Sequence, residues 1–139
     1  IHASSLSHAV YGIIAARLGR NEVADDYIRR SLGMDLQDEM NNTAAGAHMA
    51  ANGMNWLAIV RGYAGCRPRG DVFHIESPTL PQDWDSLEFR LQWHGADFTV
   101  VLTADTITVR NAPDAAELPL NIDGRGVVVA PAEEFTGAL

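Results

Sequence analysis

The spacing of apolar residues changes near residue 64, and this change constrains the fold more than any other feature of the sequence. Up to that point apolar side chains recur every three or four residues, which is the spacing of one face of an α-helix. Beyond it they alternate with polar side chains, as in a strand that buries one face. The 139-residue chain therefore predicts two parts, helices in residues 1–64 and a sheet domain in residues 65–139.

Three helices are expected in the first part. The first has an apolar face of five side chains at helical spacing: Leu6, Val10, Ile13, Ile14 and Leu18. Ser5 is the expected N-cap of this helix and Gly19 its expected end. The second helix should begin at Asn21 and end at Gly33, and the third should run over about residues 43–63.

The third predicted helix is apolar on nearly every side and includes Trp56 and Leu57. Because apolar surface gains roughly 25 cal/mol per Å² when it leaves water, such a helix needs several neighbours. We therefore expect residues 43–63 to contact another chain or another segment. Ile1 is not an initiator residue and no signal peptide follows it, so the sequence is interpreted as a piece of a longer or processed protein.

The second part predicts a series of short strands separated by turns rich in Pro, Asp and Gly. The expected strands are Val72–Ile75, Leu87–Trp93, Phe98–Leu102, Thr106–Arg110, Leu118–Ile122 and Val127–Val129. Short strands at this spacing are typical of an antiparallel β-sandwich.

Charge and cysteine content narrow the classes of function. The formal charge of −8 argues against nucleic acid or an anionic membrane as the partner. No apolar run reaches the ~18 residues that a membrane span needs. Cys66 stands alone, which excludes a disulfide framework and favours a buried structural thiol. The histidines lack the spacing of metal ligands, so no metal site is predicted.

Two predicted helix starts carry side chains that suit an oxyanion. Ser4 and Ser5 precede the first helix, while Thr43 and His48 stand near the start of the third. Helix N-termini expose unpaired N–H groups at the positive end of the macrodipole, and neither segment contains a carboxylate. These features predict a phosphate site. The structural alternatives are helix-capping serines and a hydrogen-bonded core histidine.

Several stretches resemble the C-terminal end of glycoside hydrolase family 65, which includes the maltose, trehalose and kojibiose phosphorylases. They lie at residues 2–7, 30–36, 42–50, 56–65, 78–81 and 87–93, with the sequences HASSLS, RSLGMDL, NTAAGAHMA, WLAIVRGYAG, PTLP and LEFRLQW. The stretches follow the family's order with sensible spacing, and the likeness covers most of residues 1–110.

The resemblance implies that residues 1–64 are the last helices of an (α/α)6 barrel and that residues 65–139 form a small C-terminal antiparallel β-sandwich. Members of the family cleave α-glucosides with phosphate or water and invert the anomeric carbon. Their general acid, a Glu, lies in an earlier segment, so no catalytic residue is expected in this chain. The implied phosphate-binding residues are Ser4, Ser5, His48, Gly46 and Thr43.

The resemblance also implies that the parent protein is a cytoplasmic phosphorylase that releases β-glucose 1-phosphate from an α-glucobiose. Inorganic phosphate is the co-substrate, and no further cofactor is expected. The expected partners are the remainder of the barrel, the disaccharide and a second parent chain in a homodimer, and the chain alone should be inactive. Two alternatives stay open: a hydrolase of the same fold, or a non-catalytic carbohydrate- or protein-binding module that uses Trp84 and Trp93.

Overall fold

The computed structural model describes residues 4–81 and 83–139, which form two compact units. The first unit is helical and ends at Tyr63; the second is built of strands and spans Ala64–Leu139. His2 and Ala3, which open the family-like stretch at residues 2–7, lie outside the described residues.

Over its described residues 4–63, the helical unit contains three α-helices and two irregular helical turns. Their bounds are α1 Ser7–Arg17, α2 Asn21–Leu32, a 3-10 turn Thr43–Ala45, α3 Met49–Leu57 and a π-helical turn Ala58–Tyr63. The predicted bounds of the second helix are confirmed, with Gly33 as its C-cap. The prediction of one helix over residues 43–63 is wrong, because Gly46 interrupts it with a φ of 136°.

The buried face of α1 differs from the predicted one. Its buried residues are mostly small: His8, Ala9, Gly12, Ile13, Ala15 and Ala16. Val10, Ile14 and Leu18 from the predicted apolar face are exposed. The reason is a close approach of α2, since a Cβ on Gly12 would lie 2.5 Å from Cγ1 of Ile28. Small residues therefore face α2, and the large aliphatic side chains remain outside this interface.

The close approach at Gly12 leads to a prediction about stability. Replacing Gly12 with alanine should lower the free energy of unfolding by about 1–3 kcal/mol, because Ile28 and the α2 backbone must move. The matched control is Gly53→Ala in α3, where no atom lies within 4 Å of the added methyl group. That variant should gain up to about 1 kcal/mol from helix propensity. Urea unfolding measures both, and equal effects would contradict the close-packing argument.

Polar contacts also hold the helices of this unit together. The Tyr63 hydroxyl donates to Oδ1 of Asp25 on α2 at 2.6 Å. The buried Ser31 hydroxyl of α2 donates to Oδ1 of Asn55 on α3, also at 2.6 Å. Each bond fixes α2 against the segment that follows residue 48.

In the second unit, the described residues 64–81 and 83–139 form eight strands in two four-stranded sheets. The strands are β1 Cys66–Arg69, β2 Val72–Ile75, β3 Leu87–Trp93, β4 Ala96–Leu102, β5 Thr106–Asn111, β6 Leu118–Ile122, β7 Arg125–Val129 and β8 Glu134–Ala138. One sheet has the order β1-β2-β6-β7 and the other the order β3-β4-β5-β8. All six predicted strands are confirmed to within two residues at each end, whereas β1 and β8 were not predicted.

The two sheets pack through aromatic and aliphatic side chains, as in a β-sandwich. Phe73 of the first sheet meets Phe98 of the second edge to face, with ring centroids 5.2 Å apart. The buried Asn111 side chain of β5 donates to the carbonyl oxygen of Val129 on β7 at 3.0 Å. The expectation of purely antiparallel pairing needs correction, because β2 and β6 pair in parallel.

Cys66 is buried at the start of β1, which confirms the predicted structural role of the thiol. Burial away from water disfavours the thiolate and raises the pKa of Cys66 to about 12. The thiol is therefore unreactive at neutral pH. Within residues 4–81 and 83–139, every helix is too short or too polar to cross a membrane.

Candidate functional site

His48 is held by a carboxylate that comes from the segment after α2. Its Nδ1 lies 2.6 Å from Oδ1 of Asp35, and its backbone N–H donates to both carboxylate oxygens at 3.2 and 3.0 Å. Nδ2 of Asn52, one turn into α3, donates to Oδ2 of Asp35 at 3.1 Å. The imidazole is therefore fixed at the first turn of α3, with His48 as the N-cap residue.

A second carboxylate organises the turn that precedes His48. Oδ1 of Asp38 accepts the backbone N–H groups of Asn42 and Thr43, each at 2.9 Å. The 3-10 turn then closes through the Gly46 N–H, which donates to the Thr43 carbonyl oxygen at 2.9 Å. Asp38 thus accepts N–H groups at the start of the turn, and Asp35 accepts the His48 N–H that a continuous helix would have paired with a backbone carbonyl oxygen.

These hydrogen bonds favour the ionised form of both aspartates. The side chain of His48 lowers the pKa of Asp35, and the backbone N–H of Thr43 lowers the pKa of Asp38. Both groups are carboxylates at neutral pH. The expectation that no carboxylate lies beside the anion-binding side chains is therefore wrong for His48.

The serines stand before α1, but they do not cap it as predicted. The helix begins after Leu6, which makes no side-chain cap. The backbone N–H of Leu6 donates to Oγ of Ser4 at 3.3 Å, and that of Ser7 donates to the Ser4 carbonyl oxygen at 3.1 Å. The serine that binds a backbone N–H at the helix start is thus Ser4, and the Leu6 N–H is already paired.

A surface cavity adjoins this helix start. Its volume is about 230 Å³, and Ser4, Leu6, Ser7, Val10 and Tyr11 line it. Ser7 and Tyr11 are additional candidate residues that the sequence analysis did not select. Ser7 and Tyr11 are four residues apart on one face of α1, and this spacing was the signal available in the sequence.

The predicted site residues therefore fall into two groups within the helical unit. Thr43, Gly46 and His48 lie close together in the segment before α3, while Ser4 and Ser5 lie at the start of α1. That one phosphate touches both groups stays a prediction. Asp35 was missed because it lies 13 residues from His48 and no periodic pattern links the two. Among the described residues, no group of three or more His, Cys, Asp or Glu side chains is arranged to hold a metal ion.

The two tryptophans of the alternative sugar platform are both half-buried. The Trp93 ring stacks on His94 at a centroid distance of 4.1 Å and meets Phe73 edge to face at 5.9 Å. One face of its indole is thus covered by another ring, which leaves less surface for a sugar than a platform normally offers.

Comparison with known families assigns both units. A model described as the glycosyl hydrolase family 65 central catalytic domain matches residues 1–57. A model described as the glycosyl hydrolase family 65 C-terminal domain matches residues 66–129. The chain belongs to glycosyl hydrolase family 65, as the resemblance indicated.

Several relatives are phosphorylases. The chain is 36% identical to kojibiose phosphorylase of Escherichia coli over 135 residues, which cover 97% of this chain and 17% of that protein. It is 35% identical to 1,2-alpha-glucosylglycerol phosphorylase of Bacillus selenitireducens, over 93% of this chain and 18% of the relative. It is 34% identical to alpha,alpha-trehalose phosphorylase of Geobacillus stearothermophilus, over 89% of this chain and 16% of the relative.

A solved structure from the human microbiome, provisionally named a kojibiose phosphorylase, shares the fold. It superposes with a TM-score of 0.89 at 26% identity, and the match covers 100% of this chain and 20% of that one. The chain thus spans about a fifth or less of the relatives and the solved structure that it matches.

Proposed function

We propose that the chain works as the C-terminal part of an inverting α-glucoside phosphorylase. The observation that carries this proposal is the similarity, over most of the chain, to phosphorylases that act on three different α-glucosides. The substrate would be a glucoside in α-linkage, and inorganic phosphate would attack the anomeric carbon to give β-glucose 1-phosphate. The general acid would come from the remainder of the longer protein.

The polar groups of the helical unit suit the phosphate half of that reaction. In an inverting phosphorylase the phosphate is itself the nucleophile, so it must be held on the face opposite the leaving oxygen. The Ser4 hydroxyl and the His48 imidazole are both groups that bind phosphate oxygens. We assign this chain the task of binding and orienting phosphate, with Thr43 and Gly46 shaping the turn beside His48.

The helical unit exposes apolar surface, which supports the proposal that it is part of a larger helical barrel. Exposed large side chains of this unit include Val10, Ile14, Leu18, Met49 and Trp56. Burying such surface stabilises a protein by roughly 25 cal/mol per Å², which favours a covering partner. We propose that the other helices of an (α/α)6 barrel cover it, and that two such proteins form a homodimer.

The test of the proposed function is the phosphate dependence of the longer protein. Replacing His48 with alanine should raise the KM for phosphate by about 10-fold to 100-fold, since a hydrogen bond to a charged group contributes about 1.5–3 kcal/mol. The KM for the disaccharide should change much less. The matched control is His94→Ala in the second unit, where the side chain is about half exposed. This variant should leave both KM values unchanged. Glucose release that is indifferent to phosphate would contradict the proposal.

A hydrolase of the same family is the second candidate, and one contact favours it. A carboxylate bonded to Nδ1 of a histidine is also the arrangement that orients an imidazole as a general base toward water. In that case the purified protein would release free glucose at the same rate with and without phosphate. Product analysis by phosphate omission therefore separates the two activities directly.

A further inference from the structure

We infer that Asp35 is a positioning residue that fixes which nitrogen of His48 faces phosphate. The inference rests on the proposed phosphorylase function. Three hydrogen bonds carry it: the carboxylate binds the ring Nδ1 and the backbone N–H of His48, and it is itself held by Asn52. A contact to both the ring and the backbone of one residue restrains that side chain more tightly than a contact to the ring alone.

Burial strengthens this restraint. The side chain of His48 is 17% exposed and that of Asp35 is 16% exposed. Bonds between partly buried charged groups are screened less by water and salt than bonds on an open surface. The carboxylate also lies at the first turn of α3, where negative charge interacts favourably with the helix dipole. Asp35 therefore has a fixed place from which to orient the imidazole.

The contact decides the tautomer of the ring. A carboxylate oxygen accepts a hydrogen bond, so Nδ1 of His48 must carry a proton while the bond to Asp35 exists. Nε2 is then the nitrogen left for a ligand. In the imidazolium form its N–H donates to a phosphate oxygen, and in the neutral form its lone pair accepts from a protonated phosphate oxygen. Either way one proton lies between Nε2 and phosphate.

Loss of the Asp35 carboxylate should therefore weaken phosphate binding only through its effect on the tautomer and orientation of the His48 ring. Without Asp35 the neutral ring is free to place its proton on either nitrogen and to rotate away from α3. Asp35→Asn keeps the shape of the side chain and removes its charge. Asp35→Ala removes both the charge and the hydrogen bonds, and a fall in folding yield for that variant would leave Asp35→Asn as the working test.

The experiment is a double-mutant cycle in the longer protein, with initial rates measured against phosphate and against disaccharide. Asp35→Asn should raise the KM for phosphate about tenfold and change the KM for disaccharide less than about threefold. The double variant Asp35→Asn/His48→Ala should match His48→Ala alone within about threefold. Such non-additivity is expected of a residue that acts through its partner and is not expected of a general loss of structure.

The matched control is Glu39→Gln. Glu39 belongs to the same segment, and its carboxylate accepts a hydrogen bond from Nε of Arg30 at 2.8 Å. The same change from carboxylate to amide should leave the KM for phosphate unchanged there. Additive effects of the two substitutions, or equal increases in both KM values for Asp35→Asn, would overturn the inference.

The two proposals fail in different ways. Glucose release that ignores phosphate in the unsubstituted protein overturns the phosphorylase function, and with it the role of Asp35. A phosphate-dependent enzyme that is weakened by His48→Ala but unaffected by Asp35→Asn overturns the inference about Asp35 alone.

Discussion

Replacing Gly65 with alanine should destabilise the β-sandwich unit by more than about 3 kcal/mol, the largest effect of any glycine substitution that we expect. The residue has a φ of +64°, which disfavours any L side chain, and an added Cβ would lie 2.1 Å from the Glu76 carbonyl oxygen. That carbonyl belongs to backbone and cannot rotate away. The Gly65 carbonyl oxygen also accepts the Glu76 N–H at 3.0 Å, so the adjustment would break the closure of the β1–β2 hairpin.

Gly70 provides the matched control for this prediction. It lies in the turn between β1 and β2 with a φ of +56°, and no atom lies within 4 Å of an added Cβ. Gly70→Ala therefore carries only the cost of the left-handed conformation, about 1–2 kcal/mol. Urea unfolding followed by circular dichroism measures both variants. Similar losses at the two glycines would show that backbone strain alone, and not the contact with Glu76, determines the effect.

Replacing Phe98 with alanine should cost about 3–5 kcal/mol, the usual range for removing a buried phenyl ring. Phe98 is 1% exposed and stands in β4 between the partner residues Leu91 and Asn111. Its ring also packs against Phe73 of the other sheet. Removing it leaves a cavity between the sheets, and because both sheets line that cavity, neither can close it alone.

Phe135 in β8 tests whether burial is the cause. Its ring is half-buried, with the Arg125 guanidinium 5.1 Å from the ring centroid. Phe135→Ala should cost no more than about 2 kcal/mol, because less apolar surface returns to water. Thermal unfolding of both variants gives the two shifts in Tm to be compared. Equal shifts in Tm would contradict the assignment of the core to the space around Phe98.

The contact between Asp35 and His48 bears on the choice between a phosphorylase and a hydrolase. Without a carboxylate near the imidazole, the residues would favour phosphate as nucleophile over an activated water. Asp35 removes that chemical argument, because the pair suits either role. The case for a phosphorylase then depends on the similarity to the relatives, and the test is the phosphate dependence of the longer protein.

Prediction from sequence succeeded where one face of an element is buried and the other is not. The alternation in β3 and β4 gave their positions because every second side chain points into the sandwich. It failed for β1 and β8, each of which lies at one edge of its sheet, although the strands at the opposite edges, β7 and β3, were predicted. Pro68 in β1 and Gly137 in β8 disfavour a strand by propensity, and both are tolerated at an edge where fewer neighbours constrain the backbone.

The family and the candidate residues could also be predicted from sequence, because motifs such as the serine pair and the histidine at a helix start are local. It did not give the face of α1 that is buried, since this depends on how closely Gly12 lets α2 approach. The large aliphatic side chains of α1 do recur at helical spacing, but most of them lie on the side that faces away from α2 within this unit.

Local sequence was therefore sufficient to predict the order of helices and strands, the change from one to the other near residue 64, and the polar character of two helix starts. All of these depend on neighbours within a few residues. The folded chain was needed to show that Asp35 binds His48 and that Ser4, not Ser5, binds the backbone at the start of α1. The Asp35 contact joins residues that are distant along the chain, and backbone geometry at the start of α1 selected between adjacent serines. Hydrophobic periodicity carries no information about either choice.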